Sequence, residues 1–430
     1  MSDLTEETAL PEAQESGAWR VLVRSFTTLV VGETVARVFG LVAFVLLARE
    51  LGPTSLGIVA VGMALVSRLS VISDSGTELL AVRDVAREPE RFRELTEKIL
   101  GLRLALSLAV GALFVAGVYV FTDPSTARSV EIRFALALPA MALNLRWIAL
   151  GVHQERAAAA GNVSARAAFL VGVALFVLPT GSVLHVPYVY AASELVYALV
   201  VLLAVLPRHG LVLPRVDLPF WSATLRQSFP LLVSALARGI APVELLIITA
   251  FATAREAGLY TTGAKPMYFV ATLMGLFYVS FVASYSAATP PEAAVLLRRS
   301  ALTSGAASIA AALAVTFIGT ALLPVVFGHS YADAAAVMAI LAWRLPFSAL
   351  SAPLNGLLLS AGRQQLLMRN TIVSSVLTIA GDLVAMPLFG IAGVAAMSVL
   401  GGALLLALNY RSARRENLTP TVGALVAGAA

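Results

Sequence analysis

Cysteine is absent, which excludes disulfides, thiol nucleophiles and thiolate metal sites. Histidine is scarce, and His153, His185, His209 and His329 are scattered with no ligand spacing. Charge is thin: 13% of the 430 residues are charged, against about a quarter in a soluble domain. The chain has no Gly-x-Ser-x-Gly, no His-Glu-x-x-His, no Gly-Lys-Ser/Thr phosphate loop and no acidic metal cluster. Connections between apolar runs are too short to fold into a nucleotide-binding domain. These absences leave no catalytic residues, no metal site and no resident cofactor to assign.

What is abundant is apolar surface. Hydrophobic residues make up 59% of the chain. A water-soluble fold could not cover that much; lipid-facing walls could. The fold class expected is an all-α polytopic membrane protein. A bilayer core needs roughly 20 apolar residues per helix. Segments 25–48, 54–73, 99–121, 132–152, 161–180, 186–206, 227–251, 257–284, 300–323, 334–358, 367–386 and 391–410 meet that need, which gives about 12 transmembrane helices. Residues 1–19 hold Asp3, Glu6, Glu7, Glu12 and Glu15 and no base, so they are no signal peptide. The longest connection, about 74–98, reads as an amphipathic helix at the membrane surface, broken at Pro89, or as a solvated connector. Stretch 334–358, with Pro346 and Pro353, is expected to bend.

Basic residues set the orientation. With the N-terminus cytosolic, most of the 30 fall on the cytosolic side, including Arg20, Arg24, Arg83, Arg87, Arg91, Arg93, Arg156, Arg166, Arg298, Arg299, Arg363 and Arg411. Arg49, Arg128, Arg133 and Arg255 fall on the other. The same distribution explains the net charge of +5 without nucleic acid.

The chain repeats itself. Leu143-Asn144, Gly151 and Gln154 recur as Leu354-Asn355, Gly362 and Gln365, and Arg133 recurs as Arg344, all at an offset of 211 (354 − 143). Ser25-Phe26, Ala48-Arg49-Glu50 and Gly57 recur as Ser228-Phe229, Ala254-Arg255-Glu256 and Gly258. Parallel repeats of six spans with a substrate path between them are a transporter arrangement. The expected organisation is a cytosolic disordered tail and lead-in over 1–24, an N-terminal six-helix bundle over 25–206, a cytosolic linker over 207–226, a C-terminal six-helix bundle over 227–410 and a cytosolic tail over 411–430. Both termini are then cytoplasmic, in the cell membrane.

A charge in hydrocarbon costs at least about 2.5–3.5 kcal/mol, so it should face a cavity or a partner. Glu33 and Arg37 lie one helical turn apart and either neutralise each other or serve a cavity. Arg68 and Arg146 either snorkel to headgroups or point inward. Arg37 and Arg238 hold matching mid-span places in the two halves, and arginine's planar fork suits phosphate. Candidate anion-binding residues are Arg37, Arg238, Lys265, Arg344 and Arg146. The acids Glu33, Glu194, Glu244 and Asp382 are candidates for proton or sodium coupling, or for balancing the arginines.

Several motifs carry a family resemblance. They are Ala48-Arg49-Glu50-Leu51-Gly52-Pro53-Thr54-Ser55-Leu56-Gly57, Arg83-Asp84-Val85-Ala86-Arg87, and Gly258-Leu259-Tyr260-Thr261-Thr262-Gly263-Ala264-Lys265. Leu323-Pro324-Val325-Val326-Phe327-Gly328, Leu354-Asn355-Gly356 and Pro387-Leu388-Phe389-Gly390-Ile391-Ala392-Gly393 continue the series. In this order the chain resembles the polysaccharide and O-antigen flippases of the multidrug/oligosaccharidyl-lipid/polysaccharide exporter superfamily, over residues 25–410. The resemblance implies that a polyprenyl-(pyro)phosphate-linked oligosaccharide moves from inner to outer leaflet by alternating access, for cell-surface polysaccharide biosynthesis. It implies lipid-linked oligosaccharide, membrane lipids, glycosyltransferases and a polysaccharide polymerase as partners. Relatives often carry Asn near the end of span 11 where this chain has Asp382, which leaves coupling or a local ion pair open. Other readings are a cation-coupled multidrug exporter of the same superfamily, a membrane polymerase or ligase, and a non-transporting scaffold.

Overall fold

A computed structural model describes residues 12–152, 154–210, 212–237, 241–287, 290–416 and 418. Among them the regular structure is helical and there is no strand. The first helical stretch, α1 (Glu12–Asp74), is broken at Gly52, whose φ of 70° and ψ of 173° leave the helical region. Pro53 follows, at the first position of the next helix, where its missing N–H costs nothing. Both limbs of α1 line one cavity, Glu33 to Leu47 on the first and Val59 to Ser67 on the second, so the chain reverses at Gly52. Of the tail expected to be disordered, residues 12–19 are helical, as is the lead-in over 20–24.

Next come α2 (Thr77–Arg87), a 3₁₀ turn at Pro89–Arg91 and α3 (Phe92–Phe121). The expected amphipathic helix is therefore α2, ended at Pro89. It buries Leu80, Ala81 and Val85 and exposes Arg83 and Arg87. The fourth span is interrupted, as α4 (Thr126–Phe134), α5 (Ala137–Ala142) and α6 (Arg146–Gly151). Then follow α7 (Glu155–Gly172), α8 (Val186–His209), α9 (Leu218–Ala237), α10 (Ala241–Phe251), α11 (Ala254–Ala287), α12 (Pro290–Ala314) and α13 (Thr320–Phe327). The tenth span bends as expected, splitting at Trp343 into α14 (Ala334–Ala342) and α15 (Arg344–Ser360). The last, α16 (Gln364–Arg415), has 52 residues. A straight helix of that length would run about 78 Å, far beyond a hydrocarbon core of about 30 Å. Gly390, at φ 62°, breaks it into two.

Among the described residues eight helical stretches are long and apolar enough to cross a membrane, and two of them, Val30–Asp74 and Gln364–Arg415, each contain a break that makes two spans. With α9–α10 and α11 they account for the twelve spans. Outer faces are apolar as lipid requires: Leu113, Val120, Leu175, Phe176, Phe317 and Ile318 are all exposed.

Two features fix the ends of the bundle. At the Gly52 end, the second limb of α1 meets α11 backbone to backbone. A Cβ on Gly57 would lie 1.7 Å from the Ala254 carbonyl oxygen, and one on Gly258 would lie 1.9 Å from that of Pro53. These glycines are the repeat mates noted above, so the two halves touch through equivalent positions. Arg49 donates to the Val325 and Val326 carbonyls at 2.6 and 2.7 Å, Tyr331 donates to the Ala48 carbonyl at 2.9 Å, and Arg255 pairs with Asp333 at 3.1 Å. At the Asp74 end, the segment after α8 is fastened to α3. Lys98 pairs with Asp217 at 2.8 Å, Arg215 N–H donates to the Glu97 carbonyl at 2.9 Å, and the Trp221 indole donates to the Lys98 carbonyl at 3.0 Å.

Candidate functional site

A cavity of about 520 Å³ opens between α1, α7, α8, α10 and α11. Each helix contributes one stripe, because residues three or four apart share a face. The first limb of α1 gives Glu33, Arg37, Leu41 and Phe44; α7 gives Asn162, Arg166 and Phe169; α11 gives Thr261, Ala264, Lys265 and Tyr268. Apolar and aromatic walls surround a few charges, the usual form of a binding site.

Glu33 is fully engaged. One carboxylate oxygen pairs with Arg37 at 2.8 Å, and the other accepts from the Asn162 amide at 2.8 Å. Arg37 nonetheless keeps 41% of its side chain exposed, which leaves its outer N–H groups free to meet a ligand. Arg166 lies 3.6 Å from Glu194, too long for a hydrogen bond, and Glu194 is buried behind it. The Lys265 ammonium sits 4.8 Å above the Phe44 ring, with Arg37 and Arg166 as its charged neighbours. The described lining therefore carries Arg37, Arg166 and Lys265 against one carboxylate, Glu33. With Glu194 behind Arg166, three cations face two carboxylates, which leaves the site net positive.

A second cluster lies among α10, α11, α15 and α16. Glu244 and Asp382 are both fully buried. Tyr260 donates to one Glu244 oxygen at 2.7 Å. The other Glu244 oxygen and both Asp382 oxygens have no hydrogen-bond partner. Arg344 donates to Ser398 at 2.6 Å and acts on Asp382 only at longer range. Buried carboxylates without donors are costly unless a proton or cation meets them. Among the described residues no three metal-ligating side chains cluster.

The residues expected to bind an anion thus part company. Arg37 and Lys265 line the cavity. Arg146 lines a separate pocket nearer the Asp74 end. Arg344 belongs to the Glu244–Asp382 cluster, and Arg238 lies outside the described residues. Of the acids, Glu33 lines the cavity, Glu194 backs it, and Glu244 and Asp382 are brought together elsewhere. Arg166 and Asn162 were not singled out from sequence. Their signal was available: they lie one helical turn apart within span 161–180. The charge asymmetry along the chain puts Arg166 at the cytosolic edge, yet α7 already begins at Glu155.

The sequence model of the polysaccharide biosynthesis protein family matches residues 22–285. The chain belongs to that family. No curated protein sequence matches it. Its fold is similar to that of the lipid II flippase MurJ in an inward closed conformation. The TM-score is 0.75 at 13% identity, over 91% of this chain and 88% of that one. It is similar also to an inward-facing multidrug resistance MATE family transporter of the MOP superfamily. There the TM-score is 0.65 at 14% identity, over 94% of this chain and 100% of that one. A MOP superfamily transporter from Pyrococcus furiosus, described by the reversed polarity of its binding pocket, gives 0.57 at 16% identity, over 92% and 95% of the two chains. The polytopic fold of these transporters is thus the fold of this family member.

Proposed function

We propose that this chain is a flippase that moves a polyprenyl-(pyro)phosphate-linked oligosaccharide from the inner to the outer leaflet, for cell-surface polysaccharide biosynthesis. The observation that carries this reading is the net positive charge of the cavity, three cations in its lining against Glu33 there and Glu194 behind. A phosphate or pyrophosphate takes paired N–H groups from arginine, and Arg37 and Arg166 offer them beside Lys265. The apolar walls suit a lipid-borne substrate. The positive-inside pattern puts the Asp74 end in the cytosol, so the Gly57–Gly258 contact seals the outer face in this state. Alternating access then requires that contact to part and the Asp74 end to close.

Glu244 and Asp382 supply the coupling site in this reading. Loading a proton or a sodium ion there offsets the cost of two buried carboxylates, and its release drives the cycle. A multidrug exporter is the reading next in line, since such proteins share the fold. Cationic drugs need acids in the cavity, and Glu33 is already held by Arg37 and Asn162. In this fold a pocket of reversed polarity has been taken to mean a different function, so pocket charge is the property to read. A polymerase or ligase would need a sizeable outer loop with catalytic groups, and the connections here are short.

The test is Arg37→Ala combined with Lys265→Ala in a strain lacking the native copy. Lipid-linked oligosaccharide should accumulate on the inner leaflet and surface polysaccharide should fall. Normal export by the folded double variant would overturn the proposal.

A further inference from the structure

The second limb of α1 leads from the cavity to another polar space. Ser67 lines the cavity; three and six residues on, Ser70 and Ser73 line a pocket of about 300 Å³. Spacing of three keeps these serines on neighbouring parts of one face. From Ser67 to Asp74 the helix rises about 10 Å. The pocket is therefore within reach of a sugar whose phosphate rests at Arg37. Its polar wall is made by Asp74 of α1, Glu78 of α2, Arg103 of α3, and Asn144, Arg146 and Trp147 at the break between α5 and α6.

Two properties set this pocket apart from the cavity. The first is its stock of buried donors. Arg103 keeps only 9% of its side chain exposed and gives one terminal nitrogen to Asp74 at 2.9 Å. Its Nε and its other terminal nitrogen have no partner, nor has the indole nitrogen of the buried Trp147. Buried donors of this kind call for an acceptor. The second is charge. Among the described lining residues, Arg103 and Arg146 are balanced by Asp74 and Glu78. A phosphate offers acceptors only and would face both carboxylates unfavourably. A neutral polyol offers hydroxyl hydrogens to the carboxylates and oxygens to the guanidinium and indole N–H groups.

We propose that this pocket is a saccharide subsite that holds a neutral sugar ring of the substrate, one or two rings from its phosphate. The inference rests on the flippase reading and divides its labour: the cavity takes the anion, and the pocket takes the sugar. The residues that select among sugars are then Glu78, Asn144 and Arg146, because their side chains line the pocket wall beside the Asp74–Arg103 pair.

The test uses the full chain in nanodiscs and its tryptophan fluorescence, with Trp147→Phe to identify the pocket's contribution. The probes are glucose, galactose, mannose, rhamnose and N-acetylglucosamine, and separately inorganic pyrophosphate. At least one sugar should give a saturable change that Trp147→Phe removes. Glu78→Gln and Asn144→Ala should each weaken it about tenfold, the effect of losing one strong hydrogen bond. Arg37→Ala should leave it intact. Pyrophosphate binding should instead depend on Arg37 and be indifferent to Asn144→Ala. The proposal is overturned if none of the sugars gives a saturable change, or if pyrophosphate binding is weakened by Asn144→Ala and not by Arg37→Ala. Should Trp147→Phe fail to fold, a response weakened about tenfold in Asn144→Ala supports the pocket and an unchanged response overturns it. Failure of the unmutated chain to bind pyrophosphate, with the sugar response present, would count against the flippase reading and not against the sugar pocket.

Discussion

Replacing Gly57 by alanine is the sharpest perturbation the fold offers. The added carbon would lie 1.7 Å from the Ala254 carbonyl oxygen and 2.8 Å from the carbonyl carbon, where ordinary contact begins at 3.4 Å. The obstacle is backbone, so no rotamer change relieves it. The second limb of α1 and α11 must separate by about 1.7 Å (3.4 − 1.7). A radial gap of even about 0.5–1 Å forfeits a quarter to a half of each dispersion contact across it. Overpacking of this kind costs about 1–3 kcal/mol. Because the clash exists only while the halves touch, the cost falls on the closed Gly52 end and not on a state in which that end has parted. A cost of about 2 kcal/mol would lower the ratio of closed to parted molecules about 30-fold. The chain has no cysteine, so two can be introduced without background. Spin labels at Glu50→Cys and His329→Cys, both exposed and both near the contact, would report the distance across it. Gly57→Ala should add a longer-distance population, and Gly258→Ala should do the same from the other side. A single unchanged distance in both folded variants would refute the close approach and the gating role assigned to it.

Two further outcomes test other parts of the structure. Asp382→Asn removes a buried carboxylate with no hydrogen-bond partner, so it should raise thermal stability while, under the proposed coupling role, abolishing cation dependence of transport. A fall in melting temperature with coupling intact would place Asp382 in a purely structural role. Asp217 bonds the Lys98 ammonium and the Phe220 N–H, which hold its carboxyl below the usual carboxylate range. A depressed folded value stabilises the fastened segment above the unfolded value of about 3.9, and the gain is lost only as pH falls through the depressed one. The Trp221 emission, which reports this segment through its bond to Lys98, should stay constant from neutral pH down to about pH 4 and change below it. A transition near pH 6 would contradict this assignment.

Span number, the bend in 334–358, the amphipathic α2 and the repeat equivalence of Gly57 and Gly258, though not their contact, could all be read from the sequence. Apolar run length and repeat offset are one-dimensional properties, and a bilayer converts them directly into architecture. Site membership could not be read in the same way. Arg37, Lys265, Arg146 and Arg344 all lie in apolar spans, but only the rotation of each helix about its axis decides which of them share a cavity. That rotation is set by packing, as where Gly161 of α7 rests against Tyr197 and Val201 of α8. Arg166 shows the converse. Its place on α7 is one turn from Asn162, and counting charges by membrane side hid it. Asp74 and Arg103 were hidden differently. They come from separate helices, and nothing in local sequence announces a pair formed across 29 residues (103 − 74).

The fastening of the α8–α9 connection to α3 bears on where the molecule can flex. A tether that joins two moving bodies is usually taken to bend along its whole length. Here Arg215, Asp217 and Trp221 are each bonded to the first turns of α3, and a Cβ on Gly101 would lie 2.2 Å from the Arg215 carbonyl oxygen. The tether therefore travels with α3 as far as Trp221. Any swing of the later helices must be absorbed beyond that point, and within α9 Pro230 has already removed one rung of the hydrogen-bond ladder. The pivot that the proposed transport cycle needs is thereby displaced past Trp221, out of the connecting loop.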